Sequence, residues 1–127
     1  MEKEGIFTRS WRSAGNSVKV RLSLIMFSED NTKIMYCPAL EVSGYGKSDP
    51  EARESFETSL DQFLEYTILK KTLSSELEKL GWKLHDKHKP AYPPTMQQLL
   101  EKNENFNRIF NDHPFKKIDE QFEIPVA

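Results

Sequence analysis

A single cysteine, Cys37, stands in a chain of 127 residues. One cysteine excludes an internal disulfide and fits a reducing compartment. No apolar run approaches the roughly 20 residues that cross a bilayer. The opening Met-Glu-Lys-Glu-Gly has no apolar core of the kind that marks a signal peptide. A cytoplasmic protein with no membrane contact is therefore expected. An excess of basic charge is also missing: the formal net charge is −2, whereas nucleic-acid binders run basic. There is no internal repeat and no low-complexity segment. The length suits one domain, and it can bury a core without disulfides or metal.

What is present is unevenly distributed. Residues 1–28 are basic, through Lys3, Arg9, Arg12, Lys19 and Arg21 against Glu2 and Glu4. Residues 29–66 hold nine carboxylates against Lys33, Lys47 and Arg53. The remainder is close to neutral. Acidity thus gathers on and around the middle of the chain.

Residues 1–17 show no periodicity, and Phe7 and Trp11 are apolar islands among polar neighbours. They form either a mobile arm or a short strand added to a sheet or a partner. From Val18 the pattern sharpens. Val18, Val20, Leu22, Leu24 and Met26 alternate with Lys19, Arg21 and Ser23, which predicts a half-buried strand. Ile25 and Phe27 make its far end apolar on both sides, so that end should be covered on both faces. Ser28 to Thr32 reads as a turn and Lys33 to Cys37 as an antiparallel second strand. Pro38 cannot donate to a ladder and ends that strand or sits at an edge. A short third strand over Leu40–Ser43 precedes a glycine turn, Ser43-Gly44-Tyr45-Gly46-Lys47.

A long helix opens at Ser48, where Ser48 and Glu51 have capping-box spacing and Pro50 is tolerated. Ala52, Phe56, Leu60, Phe63, Leu64, Thr67 and Ile68 give it one apolar face. Glu54, Glu57, Asp61 and Glu65 lie on the other. A short helix begins at Thr72, carries Leu73, Leu77 and Leu80 inward, and stops at Gly81, a suitable C′ residue. Trp82-Lys83-Leu84 can close the sheet. Residues 85–94, with three prolines, read as a linker. Beyond it, residues 95–127 form an extension. Thr95 and Gln98 cap one short helix, a second centres on Phe106, Ile109 and Phe110, and Pro114 ends it. Ile118, Phe122, Ile124 and Val126 share one parity and predict a terminal strand.

Motifs for chemistry fail one by one. Gly46-Lys47-Ser48 precedes a helix, but a phosphate loop needs a glycine where Glu41 stands. The dinucleotide fingerprint lacks its third glycine at the helix start. His85, Asp86 and His88 lack a second ligand pair at zinc spacing, so no metal and no cofactor is expected. Cys37, between Tyr36 and Pro38, fits a buried structural thiol better than a nucleophile. The first strand, read as Val18–Phe27, carries no carboxylate for two-metal nuclease chemistry. The acidic helix face admits two readings. It is either solvated and neutralised by bases from elsewhere, or a docking surface for a basic partner.

The run Tyr36-Cys37-Pro38-Ala39-Leu40, the glycines Gly44 and Gly46, the acid-rich helix from Glu51 through Phe56 to Tyr66, and the step Leu80-Gly81-Trp82 resemble the HicB antitoxin family over residues 18–84. The resemblance implies an α+β, truncated RNase H-like domain without RNase activity. In it a three-stranded antiparallel sheet packs against one long and one short helix. It also implies a partner, a small basic RNase toxin of the HicA type. Residues 90–127 depart from the family, which usually adds a helix-turn-helix or ribbon-helix-helix, so DNA binding is not expected. Glu54, Glu57, Asp61 and Glu65 are the candidate partner contacts. The alternative is an orphan module that homo-oligomerises, as a dimer in the simplest case, with Ile118, Phe122 and Ile124 of the terminal strand at the contact.

Overall fold

The computed structural model describes residues 17–84 and 92–125. The expected N-terminal arm and the segment holding His85, Asp86 and His88 lie outside the described residues, apart from Ser17. Strands β1 (Ser17–Glu29), β2 (Thr32–Cys37) and β3 (Val42–Gly46) come first. Helices α1 (Asp49–Leu69), α2 (Leu73–Lys79), α3 (Met96–Lys102) and α4 (Glu104–Asp112) follow, and β4 (Phe115–Pro125) ends the described chain. The strand order is β3-β2-β1-β4, antiparallel throughout.

Among the described residues the sheet has four strands rather than the expected three. The terminal strand joins the chain's own β1, from Ser17 opposite Pro125 to Phe27 opposite Phe115, without a bulge. Apolar parity dictates this register. Val20 faces Phe122 and Leu24 faces Ile118 on one side of the sheet. Phe122 and Ile124 are fully buried, while Ile118 is partly buried against the core. Phe122 and Ile124 therefore serve this chain's own core, and Ile118 packs against it.

The β1–β2 connection is tighter than its composition suggested. Only Asp30 and Asn31 are outside the strands, with φ of 52° and 66°. Two left-handed residues match a type I′ hairpin, for which Asp and Asn are suited.

The glycines carry the largest correction. Gly44 and Gly46 lie inside β3, not in a turn. A Cβ on Gly44 would stand 2.1 Å from the Phe56 backbone nitrogen, and one on Gly46 would stand 2.5 Å from the Glu51 Cβ. These residues are glycine because α1 lies directly on β3. The reversal comes earlier, at residues 38–41. The Leu40 and Glu41 amides both donate to the Cys37 carbonyl, at 3.2 and 2.8 Å, and Glu41 adopts φ 55°.

Helix ends follow the sequence closely. Ser48 Oγ accepts from the Glu51 amide at 3.3 Å, but the Glu51 carboxylate takes the Lys47 amide, so the capping box is half formed. At α3 both bonds of the box are present. Gly81, at φ 101°, ends α2 in a Schellman arrangement, with its amide donating to Glu78 and that of Trp82 to Leu77. Trp82–Leu84 makes no strand; Lys83 forms one isolated bridge to Tyr92.

The two faces of the sheet are covered by different elements. The register sets Gly44, Met35, Met26 and Lys116 side by side under α1. On the opposite face lie Tyr36 and Ile25. Here α4 packs, with Phe106 6.3 Å from the Tyr36 ring. Burial on both sides explains the apolar far end of β1. Leu99, Phe106 and Ile109 of the C-terminal extension belong to the same core cluster as Leu24 and Phe56.

Two substitutions test this packing. Phe122→Ala should lower the unfolding free energy by about 3–5 kcal/mol in urea titrations, because a wholly buried ring leaves a cavity. Gly44→Ala should cost about 1–3 kcal/mol or more, since backbone rather than a flexible side chain must move. A wild-type midpoint for Gly44→Ala would contradict the close approach of α1.

Candidate functional site

Helix α1 is seated by Ala52, Phe56, Leu60 and Leu64, all completely buried. With that face fixed inward, Glu54, Glu57, Asp61 and Glu65 fall on the other side of the helix. Glu54 and Glu65 are exposed; Glu57 and Asp61 are half-buried. The row runs about 16 Å along the axis at 1.5 Å per residue. Neighbouring bases are already committed. Arg53 lies 3.4 Å from Glu57 and 2.6 Å from Glu120 of β4. The hydrogen bond to Glu120 raises the Arg53 pKa further above its ordinary value. Lys116 stands 3.8 Å from Asp49 at the start of the helix. Near the C-terminal end of α1, Tyr66 and Leu69 are exposed, Leu69 at 82%.

Of the other residues singled out by sequence, Tyr36, Pro38, Leu40, Gly81 and Trp82 converge around the 38–41 turn, where they build structure, while Gly44, Gly46 and Phe56 form the contact of β3 with α1. Pro38 and Leu40 are buried. Trp82 Nε1 donates to the Ala39 carbonyl at 2.8 Å, which ties the Gly81 stop to this turn. The Tyr36 hydroxyl donates to Glu41 Oε2, and Asn103 Nδ2 donates to both the Tyr36 oxygen and the same carboxylate. Burial, and then the adjacent Glu41 carboxylate, push the Tyr36 phenol well above its ordinary range. Glu41 and Asn103 were missed in the sequence. The only hint at Asn103 is its cap-forming type between two helical patterns, and it caps α4 by accepting from Phe106 N at 3.0 Å.

Beside this turn a groove of about 750 Å³ opens between the end of α2 and the α3–α4 junction. Pro38, Leu80, Pro94 and Leu99 supply apolar lining, and Glu41, Glu78 and Glu104 are balanced by Lys79, Lys83 and Lys102. Among the described residues no histidine, cysteine, serine or threonine lines it.

Nucleophilic chemistry finds no support at Cys37. The thiol is fully buried, and desolvation pushes its pKa up to about 12. Glu29 closes β1, two residues beyond the expected strand end, and so β1 does carry a carboxylate. Its Oε2 lies 3.6 Å from both Arg108 and His113, in a mixed-charge cluster. Among the described residues no three His, Cys, Asp or Glu side chains gather as metal ligands. None of the described helices is long and apolar enough to cross a membrane.

No family model, no curated protein and no solved structure matches this chain.

The buried thiol predicts an alkaline dependence. The unfolded thiol loses its proton near pH 9.0, whereas the folded one keeps it to about 12. Protonation therefore favours the native state, and stability falls as pH rises between these values. The buried Tyr36 adds the same sign above its ordinary 10.0. Urea midpoints should decline above pH 9, and less steeply in Cys37→Ala. A midpoint flat to pH 11 would contradict the burial of both groups.

Proposed function

We propose that this chain is a non-catalytic, HicB-like antitoxin that captures and neutralises a small basic RNase toxin. The observation that supports the reading best is the outward row Glu54, Glu57, Asp61 and Glu65 on α1. The chain engages Arg53 at one end of that row, between Glu57 and Glu120. Such a field attracts a basic protein at long range and orients it on approach. Tyr66 and Leu69, exposed near the end of the same helix, supply apolar area that the carboxylates cannot. A strand-strand-strand-helix order closed by Leu80-Gly81-Trp82 is what the family resemblance calls for, and the α+β fold accommodates it. The truncated RNase H-like architecture is part of the same proposal.

A toxin antidote needs a surface rather than a reactive centre. The buried Cys37 thiol and the balanced charge of the groove accord with that. Cytoplasmic residence belongs with the proposal, since the RNase it restrains acts on cellular RNA.

Native co-purification from the source cells, followed by mass spectrometry, tests the assignment. The expected result is a stoichiometric, small, basic protein whose RNase activity the chain suppresses. For that complex, the double variant Asp61→Lys, Glu65→Lys should weaken binding at least about tenfold and flatten its salt dependence. Unchanged affinity and salt slope would remove α1 from the interface. Recovery of the chain with no RNase would overturn the antitoxin reading.

A further inference from the structure

Helix α1 has three faces. Ala52, Phe56, Leu60 and Leu64 are buried against the sheet. The carboxylate row lies outward on the β4 side, where Arg53 joins Glu57 to Glu120. The third face looks toward β3, where Ser55 Oγ accepts from the Tyr45 amide at 3.0 Å. Along it run Ser55, Ser59, Gln62, Tyr66 and Leu69, and none of them is charged. Their spacing alternates between four and three residues, which is the period of a seam between two paired helices.

The seam is open where it is apolar. Tyr66 is 62% exposed and Leu69 82%, the most exposed of the large apolar side chains among the described residues. Gln62, Glu65 and Lys70 are exposed as well. Lys70 Nζ stands 5.7 Å from the centre of the Tyr66 ring. Scattered singly, such apolar residues are ordinary on a protein surface. Side by side on one stripe, with an acid on one flank and a base on the other, they make a patch with a polar rim.

We infer that this face of α1 packs against the same face of a second copy, with the two helices parallel about a twofold axis along the seam. Tyr66 then meets Tyr66 of the second copy, and Leu69 meets Leu69. Glu65 and Lys70 flank this apolar layer, five residues apart. In a parallel pair that separation sets the acid of one helix beside the base of the other, so two ion pairs close over the layer, one on each side. An antiparallel pair would set acid beside acid and base beside base. The patch thus carries both charges that its own copy requires. Gln62 faces its twin, and a polar residue in a seam fixes register at some cost in stability. The two negative helix ends that come together are offset by Lys70 and the exposed Lys71 of each copy.

One apolar layer buries an area at the low end for specific interfaces, so dissociation roughly in the 10–100 μM range follows. Glu65, Tyr66 and Leu69 also belong to the surface proposed for a basic partner, so that partner and the second copy would compete for the end of α1. The inference concerns the chain by itself and stands without a toxin.

Sedimentation equilibrium of the full chain, from about 5 to 500 μM, tests it. A reversible monomer–dimer equilibrium is expected. Leu69→Asp should weaken the dimer about tenfold or more. Glu65→Lys sets like charges together twice and should weaken it about fivefold or more. Adding Lys70→Glu to that second variant should restore association to within about threefold of the wild type. Circular dichroism and urea midpoints at about 1 μM, where the chain is monomeric, should match the wild type for all three variants. The altered side chains are exposed. A chain that stays monomeric over the whole range overturns the inference. So does a dimer indifferent to Leu69→Asp, or one weakened by Glu65→Lys that the swap does not restore.

Discussion

The close approach of α1 to β3 is the constraint on which the other arrangements rest. With no Cβ at Gly44 or Gly46, the helix backbone comes down onto the strand. That contact fixes the rotation of α1, so Ala52, Phe56, Leu60 and Leu64 point inward and the carboxylate row points out. It also brings Ser55 to the Tyr45 amide and closes one edge of the sheet. Because β3 is committed to lie flat under the helix through Gly46, the chain must reverse before Val42. It does so at residues 38–41, with Glu41 in a left-handed conformation that a non-glycine residue adopts at some cost. The cost is offset locally. Glu41 receives the Tyr36 and Asn103 donors, and Asn103 caps α4. One close contact thus propagates through the turn to the helices on the far face.

Much of the fold was legible because its signals are local. Alternation placed β1 and β2, and three-and-four spacing placed α1. The caps at Ser48, Thr95 and Gly81 marked helix ends to within a residue. The glycines misled for a physical reason. Composition alone cannot separate a glycine needed for positive φ from one needed for a missing Cβ, and Gly44 and Gly46 are of the second kind. Parity identified β4 as a strand but not its partner, since pairing between Ser17 and Pro125 leaves no mark in the intervening sequence. The acidic row was visible from spacing. Its ties through Arg53 to Glu120 were not, because residues 53 and 120 meet only in three dimensions.

The proposed docking surface and the structural knot occupy different parts of the molecule. Residues that carry the family resemblance, Tyr36, Pro38, Leu40, Gly81 and Trp82, hold the turn, and the carboxylates of α1 stand outside it. Variation on the helix exterior can therefore retune charge while the scaffold is kept. Arg53 is constrained, because it joins the outer face of α1 to β4.

The pairing of β1 with β4 has a consequence in time as well as in space. Synthesis proceeds from the N-terminus, so among the described strands β1 leaves the ribosome first and its partner last. Until residues 115–125 emerge, Val20, Leu22 and Leu24 lack the strand that completes their side of the sheet. Such non-local closure is slow. The full sheet that supports α1 is thus available only once residues 115–125 have been translated.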